Sequence, residues 1–239
     1  MENKFKKISS AVPKESEFID VILSLKKQTP TCTYDDDDSF SMESCSENVS
    51  SAVTRFSDMF FKVYNEFPSV SRIDPLYRGI LHQRFSYVHY EDARDEVSFA
   101  SLMMINISEK YLSLLCADDC DSLDKCKSLK RAAFACMLAV VRRCVPSLAF
   151  LDKVREYMAN LDDGVGGELA SAPLALNYNH DEGYSVPQLT QREFSENIVH
   201  LVDPQTLVWL EELDRVPSRK DAGQRFLIAK ERLTNYSRL

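Results

Sequence analysis

The chain has 239 residues, with 29 Lys+Arg against 37 Asp+Glu and a formal net charge of −8. Its 44% hydrophobic and 28% charged residues are ordinary for a soluble globular protein with one good core. The acidity argues against a protein that coats nucleic acid over its whole surface, and six glycines leave few places for a Gly-rich nucleotide loop or a turn-rich β fold.

The start, Met1 to Lys7, has no apolar core of the kind a secretory leader needs. No apolar run in the chain approaches the roughly 18 residues that span a bilayer. A basic cluster (Lys4, Lys6, Lys7) is followed by Phe18, Ile19, Ile22, Leu23 and Leu25 at near-helical spacing. Ser16 is the candidate N-cap and Pro30 the stop, giving an N-terminal segment over 1–31. Residues 32–50 read as an acidic disordered linker: Asp35 to Asp38, then serines and glutamates, a run that repels itself and buries nothing.

Residues 51–163 read as an antiparallel helical bundle. A first helix carries Val53, Phe56, Phe60, Phe61, Val63 and Tyr64 and ends near Phe67-Pro68. Asp74-Pro75 opens a second, with Leu76, Ile80, Leu81 and Phe85 on its apolar face. The third, from about Glu91 to Leu115, has Val97, Leu102, Ile105, Tyr111, Leu112 and Leu115. Asp121-Ser122 opens a fourth, with Leu123, Cys126, Leu129, Ala133, Met137, Val140 and Cys144. Pro146-Ser147 starts a fifth, with Leu148, Leu151, Val154 and Met158. Short connections join them, as in antiparallel packed helices. Residues 164–239 read as a connector and C-terminal helices, opened at Asp203-Pro204 (Leu207, Leu210, Leu213) and at Pro217 (Phe226, Leu227, Leu233). This third is too poor in apolar residues for a core of its own and is expected to lie on the bundle or on a partner. The expected fold is all-α: an N-terminal antiparallel helical bundle, an extended connector and short C-terminal helices.

Chemistry is sparse. No Gly-Lys dipeptide occurs, so the loop that wraps phosphates in nucleotide hydrolases is missing from these residues. Asp163-Gly164-Val165-Gly166 reads as a hinge. His82 and His89, seven apart, are expected two turns apart on one helix face, too far to share a metal. The aspartates at 35–38 lack the glycine and distal glutamate of a calcium loop. No C-x-x-C pair points to zinc, and seven irregularly spaced cysteines suit reduced thiols in a cytosolic or nuclear protein. No catalytic, cofactor or metal residue is assigned.

The signal above background is electrostatic. Between Ser122 and Met158 stand eight basic residues against three acidic ones, a net +5 inside an acidic chain. The candidate binding residues are Lys125, Lys127, Lys130, Arg131, Arg142 and Arg143. Lys127, Lys130 and Arg131, at i, i+3 and i+4, share a helix face and can straddle phosphates. Charge alone reads equally well as a solvated helix surface.

Several segments resemble the nucleolar GTP-binding protein 1 family, Obg-related GTPases of large-ribosomal-subunit assembly. They are Phe5-Lys6-Lys7-Ile8, Val12-Pro13, Glu17 to Ser24, Gln28 to Thr31, Glu66-Phe67-Pro68 and Ile73 to Tyr77. The most specific run is Asp121 to Ala133, continuing into Pro146 to Met158, in a version similar to plant members. The likeness covers roughly residues 1–163. After Asp163 the chain resembles a region that follows the family's GTPase domain: Gly166-Gly167, Ser171 to Leu174, Asn177-Tyr178, Val202 to Leu207 and Leu210 to Leu213. At 32–48, where the family has a His/Arg/Lys-rich segment, Asp35 to Asp38 and serines invert the charge. The resemblance implies a shortened paralogue without the GTPase domain or the basic tail. It would be a non-enzymatic nuclear or nucleolar protein of 60S ribosome biogenesis that binds the pre-60S particle, rRNA and assembly factors through the basic face. No membrane, cofactor or small-molecule substrate is implied. The alternatives are a protein–protein adaptor without RNA binding, and a GTP-binding protein by inheritance only.

Overall fold

The computed structural model describes residues 3–8, 12–28, 37–117 and 122–161, together with Pro204 and Val208 as isolated helical positions. The expected connector and C-terminal helices otherwise lie outside the described residues. Within them the chain is mostly helical: α1 (Glu15–Gln28), α2 (Asp37–Glu66), α3 (Pro75–Phe85), α4 (Tyr87–Leu115) and α5 (Leu123–Ala159). Short 3-10 turns at Lys4–Lys7 and Val70–Arg72 complete it.

Local sequence explains most of the ends. Asp74 accepts the N–H of Leu76 at 3.0 Å and Pro75 fills the first turn of α3. Ser122 accepts the N–H of Lys125 at 3.4 Å to open α5. α1 starts one residue ahead of Ser16, and the Glu17 carboxylate reaches back to the N–H of Lys14 at 3.0 Å. Between α3 and α4 the chain turns on Ser86, whose φ of 61° is unusual for a residue with a side chain. His82 and His89 therefore sit on two different helices, contrary to the single face expected of them.

Three boundaries differ from the sequence reading. α2 begins at Asp37, inside the stretch expected to be disordered, and buries Cys45 and Val49. The apolar stripe Cys45, Val49, Ala52, Val53, Phe56 runs backward into the acidic segment. The N-terminal segment is not separate: Phe5, Ile8, Val12, Phe18 and Leu23 belong to the same core as the bundle. Pro146 does not start a new helix but lies within α5. Its ring faces solvent, while Val141, Cys144, Leu148 and Leu151 continue one buried stripe across it. That packing outweighs the roughly 3 kcal/mol a proline costs inside a helix.

α2, α4 and α5 form the centre, with α2 packed most extensively on α4 and α4 on α5. By length and composition α5 is apolar enough to cross a membrane, contrary to the expectation that no run in the chain is. As much as 67% of its apolar window is buried inside the bundle, the position of a central core helix. α1 docks through Phe18, which meets Phe56 edge-on at 5.1 Å and Phe60 at 4.9 Å between centroids. α3 docks through Phe85, which meets Phe150 at 6.1 Å and Tyr157 at 5.4 Å.

Two polar devices lock the ends. On α4, Tyr90 donates its hydroxyl to the Pro68 carbonyl at 2.7 Å, and Arg94 Nε donates to the Phe67 carbonyl at 3.1 Å. Glu91 accepts from Arg94 with one oxygen and from the Val70 N–H with the other. Together they hold the turn between α2 and α3. At the other device, Asn3 Nδ2 donates to the Met158 carbonyl at 2.7 Å while Asn3 Oδ1 accepts the Phe5 N–H at 3.1 Å. Asn3 is buried, so Asn3→Ala strands the Phe5 N–H and leaves the Met158 carbonyl with only its longer main-chain bonds, the Leu161 N–H standing at 3.4 Å; the change is expected to cost about 1–3 kcal/mol, read as a lower midpoint in urea unfolding.

Burial also raises the titration of Tyr90 and Tyr111, and of the Cys136 and Cys144 thiols. Glu96 adds to the effect on Cys144. Tyr111 and Cys136 share a hydrogen bond at 3.3 Å, and that bond also raises the phenol. A group raised in the folded state contributes stability below its unfolded titration point and loses it as pH climbs beyond. The ordinary values are 9.0 for the thiols and 10.0 for the phenols. Stability is therefore expected to fall above pH 9 and more steeply above pH 10, and Tyr90→Phe should flatten that second fall in pH-dependent melting.

Candidate nucleic-acid interface

The six cations singled out by sequence divide into two groups along α5. Lys125 is exposed, and Lys127, Lys130 and Arg131 are half-buried, all within the first turns of the helix. At 1.5 Å rise per residue they span about 9 Å of helix. Ser122 caps this end and Asp124 is the acidic residue of the first turn.

Arg142 and Arg143 are elsewhere and otherwise occupied. Arg142 Nε bonds Glu15 of α1 at 2.9 Å, and Arg143 Nε bonds Glu96 of α4 at 2.9 Å. Adjacent on α5, the two arginines reach to opposite neighbours and staple both to the central helix. Their side chains are 23% and 17% exposed, and their acidic partners 14% and 12%, so these pairs are well removed from water. The structure thus does not gather all six residues on one face. Further along, Arg155 bonds Asp152 at 2.7 Å and lies 3.7 Å from Glu156.

Charge counting could not find the staples, because Glu15 lies 127 residues from Arg142 and Glu96 lies 47 from Arg143. No group of three or more His, Cys, Asp and Glu side chains that could hold a metal ion is found among the described residues. His82 stacks on Tyr87 at 4.5 Å at the exposed α3–α4 corner.

What this geometry defines is an all-helical domain built round one long central helix that carries a cluster of cations at its N-terminal end. The NOG1 N-terminal helical domain family model matches residues 5–163, most of the described bundle. The chain belongs to that family. It is 35% identical over 162 residues to nucleolar GTP-binding protein 1 of Arabidopsis thaliana, covering 66% of this chain and 23% of that protein. It is 28% identical over 159 residues to the Drosophila melanogaster protein of the same name, covering 66% of this chain and 24% of that protein. With the Saccharomyces cerevisiae protein it shares 28% identity over 106 residues, 44% of this chain and 16% of that one. The matched region makes up at most about a quarter of the length of these relatives.

Proposed function

We propose that this 239-residue chain is a non-catalytic nucleolar protein that docks on a precursor of the large ribosomal subunit. Contact would run through Lys125, Lys127, Lys130 and Arg131 at the start of α5. The observation that carries the reading is this cation cluster on a domain of the NOG1 N-terminal family, whose relatives are named nucleolar GTP-binding proteins. Arg142 and Arg143 drop out of the contact surface, since they serve Glu15 and Glu96 inside the fold. Absence of catalysis is part of the proposal: these residues contain no Gly-Lys cradle for a nucleotide phosphate.

The test is cosedimentation of the chain with purified pre-60S particles at graded salt, beside a variant with Lys127→Glu, Lys130→Glu and Arg131→Glu. Each phosphate that the protein ceases to neutralise lowers the salt dependence of log affinity by roughly 0.7–0.9, so the variant is expected to bind weakly and with a slope flatter by about 2. Equal binding by both proteins would sink the contact surface. A second reading, an adaptor that touches only protein, is favoured by the net charge of −8 and by the pairing of Arg142 and Arg143 with acids of the same fold. It predicts no binding to naked rRNA at any salt. Saturable binding of labelled GTP would overturn the non-catalytic reading.

A further inference from the structure

The outer face of α3 has a notch that the fold does not explain. Gly79 stands in the middle of this helix and is exposed. Its φ is not positive, and a Cβ placed there would meet nothing within 4 Å. Neither backbone conformation nor packing asks for glycine, which weakens a helix interior more than any residue but proline. One turn to either side stand Pro75, Leu76, His82 and Gln83, all exposed. They wall a gap in which a flat partner can approach the backbone itself. Leu76, expected on the apolar face of α3, is 36% exposed and forms one of these walls.

The surroundings of the notch have the chemistry that a base and its phosphate require. The turn at Ser86 sets Tyr87, the first residue of α4, against His82, with 4.5 Å between centroids and 37° between ring planes. Tyr87 keeps 42% of its surface in water, so an aromatic pair stands open at one end of the notch. Such rings are platforms on which unpaired bases stack. From Arg72 to His89 the chain holds three arginines and two histidines against one carboxylate, Asp74. That carboxylate is engaged at the Leu76 N–H as the cap of α3. Arg78 stands beside Gly79, one turn before His82, and its Nε finds no hydrogen-bond partner among the described residues. This local surplus of positive charge, inside a chain of −8, suits a phosphate backbone. A protein helix crossing close at Gly79 has no use for the open rings or for that surplus.

We propose that the outer face of α3 binds single-stranded RNA, with one base laid over the Gly79 backbone against the His82–Tyr87 pair and with Arg78 toward the phosphates. The choice of RNA rests on the ribosomal setting proposed above. The site itself does not depend on the α5 cations, which lie on another helix and offer charge without an open ring pair.

Binding of labelled decauridine RNA to the full chain, followed by fluorescence anisotropy, tests it. His82→Ala with Tyr87→Ala should weaken binding by about five- to a hundredfold, and both side chains are exposed, so the fold should hold. Gly79→Leu separates binding from stability. Filling the notch should weaken binding about tenfold, while the better helix former should raise the melting temperature by about 3 °C. Arg78→Gln should flatten the dependence of log affinity on log salt by about 0.7. A decauridine bearing 4-thiouridine should photocrosslink to the peptide that holds His82 and Tyr87. It should do so equally in the variant with Lys127→Glu, Lys130→Glu and Arg131→Glu, which separates this site from the α5 contact. Crosslinks that map elsewhere, or that vanish in the α5 variant, would overturn the proposal. So would undiminished binding by Gly79→Leu. No saturable binding by the parent would overturn it too and leave the notch to a protein helix.

Discussion

Replacing Arg94 with methionine is expected to cost the domain about 3 kcal/mol, or roughly 9 °C in melting temperature. The guanidinium is the hub of the turn between α2 and α3. It donates to the Phe67 carbonyl, pairs with Glu91 and lies 4.9 Å from the centroid of the Tyr64 ring. Its side chain is only 8% exposed, so its removal strands a carbonyl and a carboxylate that were arranged around it. Glu91 keeps 33% of its surface in water, which holds the destabilisation toward the lower end of the range for a broken buried pair. Glu91→Gln alone should cost less, because the amide can still accept from Val70. The double variant should fall well short of the sum, since both changes break one network. Differential scanning calorimetry of the four proteins supplies the cycle, and strictly additive effects would show that the two residues act independently.

Phe18→Ala should be at least as damaging. The ring is fully buried and wedged between Phe56 and Phe60, which are themselves fully buried. Removing a buried phenylalanine costs about 3–5 kcal/mol, partly in transfer energy and partly in the cavity left behind. The effect should be concentrated on α1. In hydrogen exchange, α1 is expected to open well before α4, whereas Phe18→Leu should keep α1 docked with a smaller destabilisation. If α1 and α4 open together in the alanine variant, α1 is bound more tightly by its other contacts than this cluster implies.

Caps and stripes are legible in the bare sequence. Asp74-Pro75 and Asp121-Ser122 mark helix starts by local chemistry alone, and both mark real ones. The phase of α4 is not legible. Leu102 to Ile107 is apolar on nearly every side, and only the longer register through Tyr90, Val97, Ala100 and Tyr111 decides which residues turn inward. Pro146 misleads for a related reason. As a local breaker it suggests a helix start, and only the buried stripe that continues on both sides of it shows otherwise. The acidic stretch at 32–50 misleads in the same way, because its composition speaks for disorder while the periodicity of Cys45, Val49 and Ala52 speaks for a helix. Of the candidate interface, the cluster at 125–131 is readable as adjacent charges on one helix. The fate of Arg142 and Arg143 is not, because it depends on acids that only folding brings near.

The bond from Asn3 to the Met158 carbonyl has a mechanical meaning. It brings the two ends of the domain to a single pole. A pull applied between residue 3 and residue 161 would load this clasp, the Phe5 packing beside it and the last turn of α5 first. The bundle would then open like a zipper, at low force and from one end, instead of resisting as a block in shear. A neighbouring body tethered at that pole could thus loosen the final turn of the central helix while the aromatic centre around Phe18 and Phe56 stays shut.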